Sequence, residues 1–173
     1  KIDGVDLVLG PEMKSTGEVM GIDNSFLSAF IKSQLASGVI LPSNGSVFLS
    51  IDDDNKKNIV EIAKKLSTLK FNLIATRGTA NFLKDYKIKV NEVNKVKEGS
   101  PHVVDSLISN KIQLVINTTK TQGSIRDSYG IRRTSLMYNI PYYTTIAGAR
   151  VAVDAIRVLK NNQLKVNNLQ SIH

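Results

Sequence analysis

The chain has 173 residues, 42% of them hydrophobic, a formal net charge of +8 and no cysteine. That length buries one full core with room for a small appendage, and the missing cysteines exclude disulfides and thiolate chemistry, which fits a reducing cytosol. No apolar run approaches the ~18 residues of a membrane span, no signal-peptide pattern opens the chain, and Lys1 in place of Met reads as a piece of something longer.

In chain order, Val5 to Leu9 is a short alternating run stopped by Gly10-Pro11, and GPEMKSTGEVMG (10–21) is too broken by Gly and Pro for a long element. Asp23 or Asn24 caps a helix whose Phe26, Leu27, Phe30, Ile31 and Leu35 recur at helical spacing, with Gly38 past its end. One strand and one helix cannot enclose a core. This segment is therefore expected to lean on an absent body or to pack loosely on the rest of the chain.

Pro42 to Ser46 is dense in turn formers, and the charge changes there. Residues 1–45 carry three Lys and five acidic side chains, whereas residues 46–173 carry twenty basic and ten acidic ones. A domain boundary is placed at this turn. The basic excess favours anions. Its residues are scattered, with five Phe and five Tyr in the whole chain, whereas nucleic-acid binders cluster their cations or interleave them with aromatics. Neither a nucleic-acid nor a membrane partner is expected.

From Ser46 onward strands and helices alternate. Val47 to Ile51 is an apolar strand, and Asp54 begins a helix with Ile59, Ile62, Ala63 and Leu66 on one face. Phe71 to Ala75 is the next strand, turning at Thr76-Arg77-Gly78 into a helix from Thr79 to about Asp85. Val90 to Val93 is a weak strand. Ser100-Pro101 offers an N-cap with Pro at the first helical position, ahead of a stripe of Val103, Val104, Leu107 and Ile108. Leu114 to Asn117 is strongly apolar. Ser124 to Asp127 resembles a capping box for a helix to about Asn139. Tyr142 to Thr144 is a last strand, and Ile146 to Lys160 a last helix with Val151, Ala155, Val158 and Leu159 inward. This is an α/β pattern: a five-stranded, mainly parallel sheet with helices on both faces, preceded by a short helical fragment.

Ligands in such sheets collect at the carboxyl ends of the strands. Those ends read Ser50, Thr76 to Thr79, Asn94-Lys95, Asn117 to Thr119 and Thr144-Thr145. They offer hydroxyls, amides and a lysine, and no proton carrier of the kind a hydrolase or isomerase needs. Lys56, in the first turn of its helix, projects over the same edge. The turn at Thr76 aims amide donors and a positive helix end at one spot, a place for a phosphate, although Gly and Thr in a turn are more often punctuation. Replacing Thr76 and Thr79 by Ala is expected to abolish ligand binding and leave melting nearly unchanged. Asp52, Asp53 and Asp54 serve the helix start better than a metal, and His102 and His173 have no companion ligand for zinc. There is no GxGxxG or GxxxxGK(S/T) run. Arg132-Arg133 lies mid-helix as a solvated face or a subunit contact.

Together, GPEMKSTGEVMG (10–21), ATRGTA (75–80), VNKVKEGSPH (93–102), VINTT (115–119), GIRR (130–133), YYTT (142–145) and the tail NLQSIH (168–173) are similar, in order, to the carboxyl end of the large subunit of bacterial-type carbamoyl phosphate synthetase. The resemblance covers essentially the whole chain. It implies that residues 1–42 are the tail of the second ATP-grasp synthetase unit plus linker, and residues 43–173 the regulatory methylglyoxal-synthase-like domain. It further implies an allosteric site for UMP as inhibitor and IMP as activator, using Ser50, Lys56, Thr76, Gly78, Thr79, Lys95, Asn117 and Thr119, with Asp127 for ribose hydroxyls. An ornithine site would use Tyr142 and Thr144 and be incomplete here, because its carboxylate partners belong to synthetase regions beyond this chain.

The parent so implied is a cytoplasmic, glutamine-hydrolysing, ATP-dependent ligase of the pathway to pyrimidines and arginine, using Mg or Mn and K and paired with a glutamine amidotransferase small subunit. No catalysis and no cofactor are expected of this chain by itself. Two departures stand out: Arg77 replaces a common His, and Asp52 to Asp54 add negative charge near Lys56. The alternative is a methylglyoxal synthase-type lyase, whose signature has Gly-Gly-Asp where Gly99-Ser100-Pro101 stands here.

Overall fold

A computed structural model describes residues 24–119 and 122–170. The readings at Val5 to Leu9, Gly10 to Gly21, Asp23, the Ser124 side chain and His173 lie outside what is described. The elements run α1 (Asn24–Ala36), β1 (Ser46–Ser50), a 3-10 turn (Asp53–Asn55), α2 (Lys56–Thr68), β2 (Asn72–Ala75), α3 (Arg77–Asp85) and β3 (Asn91–Glu92). Next come α4 (Val103–Ile108), β4 (Leu114–Asn117), α5 (Gln122–Met137), β5 (Tyr142–Tyr143) and α6 (Ile146–Gln170).

The five strands form one parallel sheet in the order β3-β2-β1-β4-β5. The order reverses between β1 and β4, where Ser50 pairs with Asn117. A crevice must open beyond the carboxyl ends of these two strands, because the connections leaving them turn to opposite sides.

Period-two alternation along the central strands divides the core into two layers. Val47, Leu49, Leu114 and Ile116 pack with Ile59, Ile62, Leu66, Leu83 and Ile156 on one face. Phe48 and Val115 point to the other face, against Val103, Leu107 and Ile131. Both faces of β1 and β4 are covered, so these strands read as continuous apolar runs.

Three local differences from the sequence reading appear. First, α1 does not pack loosely: Leu27 and Phe30 are each 2% exposed within the main core, and the Tyr143 hydroxyl donates to Gln34 Oε1 at 3.0 Å. Second, α4 starts at Val103 with His102, not Ser100, as its N-cap. The Asp105 carboxylate takes the His102 N–H at 2.9 Å and the Ser100 hydroxyl, while His102 Nδ1 accepts from the Asp105 N–H at 3.4 Å. That reciprocal box starts the helix two residues later. Third, α5 starts at Gln122, before Ser124, and α6 continues past Lys160 to Gln170.

Candidate functional site

The chain leaving β1 is fixed by two hydroxyls, one from the first turn of α3 and one from the end of β4. Thr79 Oγ1 accepts from the Ile51 N–H at 3.0 Å, and Thr118 Oγ1 accepts from the Asp52 N–H at 3.1 Å. The Asp52 carboxylate takes both the N–H and the side-chain amide of Asn55, closing the 3-10 turn that feeds α2. Two of the three acids thus shape the turn ahead of α2: Asp52 caps the 3-10 turn and Asp53 pairs with Lys56.

Beyond these anchors a narrow cleft of about 20 Å³ lies over the β1/β4 reversal, lined by Ser50, Thr76, Lys95, Val103, Asn117, Thr119, Asp127, Ser128 and Ile131. Six of the residues predicted from sequence meet here: Ser50, Thr76, Lys95, Asn117, Thr119 and Asp127. They come from the ends of β1, β2 and β4, the loop after β3 and the first turns of α5. That room suits little more than a water, so a larger guest must part the walls.

Thr76 is the N-cap of α3 but makes no side-chain cap, so the first amides of that helix lack the usual hydroxyl acceptor. Asp127 Oδ2 is buried and has no hydrogen-bond partner among the described residues. Carboxylate oxygens rarely stay so.

The remaining predicted residues divide. Lys56 stays outside the cleft lining, with its ammonium over Gly78, 3.5 Å from where a Cβ would stand. Thr79 is 1% exposed and its hydroxyl is spent on Ile51. Thr79 does not line the cleft, and in this structure its hydroxyl holds the chain leaving β1. Arg77 is engaged by Glu92 of β3 at 2.9 Å, a contact that raises its pKa.

Asn117 is the junction of the site. Its Nδ2 donates to Ser128 Oγ at 3.0 Å and to the Tyr142 hydroxyl at 2.9 Å, while its Oδ1 accepts from the Thr119 N–H at 3.3 Å and from the Thr119 hydroxyl. Burial pushes the Tyr142 phenol up, against the opposing pull of the Asn117 bond and the Arg132 charge. Tyr142 and Thr144 line a second, wider pocket of about 410 Å³ with Thr118, Tyr129, Arg132 and Thr145. Asn117, Thr119 and Ser128 face both cavities, so the two share a wall.

Ser128, Val103 and Ile131 were not among the sequence candidates. Ile131 lies one helical turn after Asp127, and that i, i+4 spacing was the available signal. Val103 comes from the facing helix and left none.

Comparison with known proteins places these features in a family. The family model described as an MGS-like domain matches residues 58–144. The chain is 52% identical over 167 residues to a carbamoyl phosphate synthase large chain of Myxococcus xanthus, covering 96% of this chain and 15% of that protein. It is 50% identical over 174 residues to the "Carbamoyl phosphate synthase large chain, C-terminal section" of Methanopyrus kandleri, covering all of this chain and 32% of that one. The chain therefore spans between about a seventh and a third of these relatives. Among solved structures, methylglyoxal synthase from Elizabethkingia anophelis matches with a TM-score of 0.53 at 22% identity, over 65% of this chain and 79% of the other, a likeness of fold. By these matches the chain belongs to the MGS-like domain family, in the form that carbamoyl phosphate synthase large chains carry.

Proposed function

We propose that this chain is the nucleotide-sensing regulatory part of a carbamoyl phosphate synthase large chain, with residues 1–42 the tail of its second ATP-grasp unit and residues 43–173 the sensor. The observation that carries the reading is the convergence of Ser50, Thr76, Lys95, Asn117, Thr119 and Asp127 on one cleft at the sheet's reversal point. A mononucleotide's phosphate sits on the Thr76 turn, with Lys95 and Lys56 as cations and the open amides of α3 as donors. The ribose hydroxyls satisfy Asp127 Oδ2. The base lies on the apolar wall of Val103 and Ile131.

UMP as inhibitor and IMP as activator compete for this position. Among the described residues, no carboxylate lines the wider pocket around Tyr142 and Thr144. An ornithine bound there would need acids from elsewhere in the large chain. The cleft is read as binding and releasing without chemistry, because Gly99-Ser100-Pro101 stands where a methylglyoxal synthase-type lyase has Gly-Gly-Asp. ATP, its metal ions and the glutaminase partner act on the rest of the enzyme, in the cytoplasm. A coupling of ~1 to 3 kcal/mol between effector and active site would shift activity severalfold.

Calorimetric titration of UMP and of IMP into the chain tests this. Binding by the unaltered chain, weakened at least about tenfold in a Thr76→Ala/Lys95→Gln variant of unchanged unfolding midpoint, is the expected result, since two contacts to a charged group are lost. Equal affinity in the variant would refute the site.

A further inference from the structure

We propose that Asp53 is a counter-ion that competes with the ligand's phosphate for Lys56 and thereby sets the affinity of the cleft. This inference rests on the phosphate-binding reading above. Lys56 opens α2, and its side chain, 19% exposed, carries its ammonium over Gly78 at the start of α3. The carboxylate on that ammonium is Asp53, three residues earlier in the 3-10 turn and 92% exposed.

The pairing is preset by local structure. Asp52 closes the turn on Asn55, and the i, i+3 spacing across that turn brings Asp53 onto Lys56. A phosphate arriving on the Thr76 turn meets an ammonium that is already neutralised. It must either displace Asp53, losing that pair, or bind beside it and bear the repulsion. Both routes cost affinity.

The other cation of the turn is treated alike: Arg77 is held by Glu92. Lys95, inside the cleft, has no ion pair among the described residues. The site thus combines one cation ready for the ligand with one that must be won from a carboxylate. Such an arrangement keeps binding weak enough to follow a changing nucleotide level.

Asp54 provides the control. It has the same charge one residue further on, is exposed, and forms no ion pair among the described residues. The test is calorimetric titration of UMP into the full chain and its Asp53→Asn, Asp54→Asn, Lys56→Gln and Asp53→Asn/Lys56→Gln variants, each with an unchanged urea midpoint. Asp53→Asn should tighten UMP by about two- to fivefold, the range open to an exposed pair. Asp54→Asn should change it by less than about 1.5-fold, because charge at a distance is screened. In the Lys56→Gln background the Asp53 gain should vanish.

Unchanged or weaker binding in Asp53→Asn overturns the proposal. So does an equal gain from Asp54→Asn, or a gain that survives loss of Lys56. If the unaltered chain takes up no UMP, the nucleotide reading fails and this inference with it; if UMP binds and Asp53→Asn is silent, only the inference fails.

Discussion

The Thr79 hydroxyl lies 3.0 Å from the Ile51 N–H, and that contact changes what a substitution there would measure. Sequence reading treats Thr76 and Thr79 as a matched pair of ligand contacts whose joint loss is harmless to the fold. The structure separates them. Thr79→Val would leave the buried Ile51 amide without its acceptor, at a cost of about 1 to 3 kcal/mol in urea unfolding, whereas Thr79→Ser would restore most of it. Thr76→Ala should unfold like the parent, since its side chain makes no cap. The difference was illegible in sequence because Ile51 is 28 residues away, and only β1 and β2 lying side by side bring it near. Asp127 and Asn117 illustrate the converse. Asn117 was a strand-end candidate and Asp127 entered only through the family resemblance, whereas the wall that Asn117 forms between two pockets was not legible.

Among the elements, α4 shows how a local signal can be right in kind and displaced in position. Ser100-Pro101 reads as a cap and first turn, yet the box is made by His102 and Asp105, with Ser100 donating to the same carboxylate. The Ser100 hydroxyl first, then the His102 N–H, hold the Asp105 carboxyl below the usual carboxylate range. A depressed folded-state pKa contributes stability above the unfolded value of about 3.9 and loses it as pH falls through the folded one. Asp105→Asn should therefore flatten the acid limb of the unfolding midpoint between about pH 5 and pH 2. An unchanged acid limb would show that this box adds nothing in solution. Gly45 makes a second case: it sits at φ +114, and a Cβ would fall 2.1 Å from Gln113 Oε1, the acceptor of the Ser46 N–H. Gly45→Ala should cost about 1 kcal/mol or more from backbone strain and the displaced bond.

Across the whole molecule, α1 belongs to the same body as the sheet. The Tyr143 hydroxyl, whose pKa burial pushes up, remains a donor to Gln34 at any working pH. Phe30→Ala should cost about 3 to 5 kcal/mol by the loss of a fully packed aromatic, measured by urea unfolding, and a cost below about 1 kcal/mol would show that α1 detaches in solution. The sequence by itself determined the βα alternation, the parallel sheet, the strand-end residues and the family, because apolar periodicity, turn residues and short motifs are local properties of the chain. The tertiary structure alone decided the strand order, hence which strand ends face each other across the β1/β4 reversal. It also decided that Thr79 serves Ile51 while Thr76 faces the cleft, and that Asp53 pairs with Lys56. Those outcomes depend on distances between side chains far apart in sequence, or on the turn a backbone takes, and neither is fixed by residue identity.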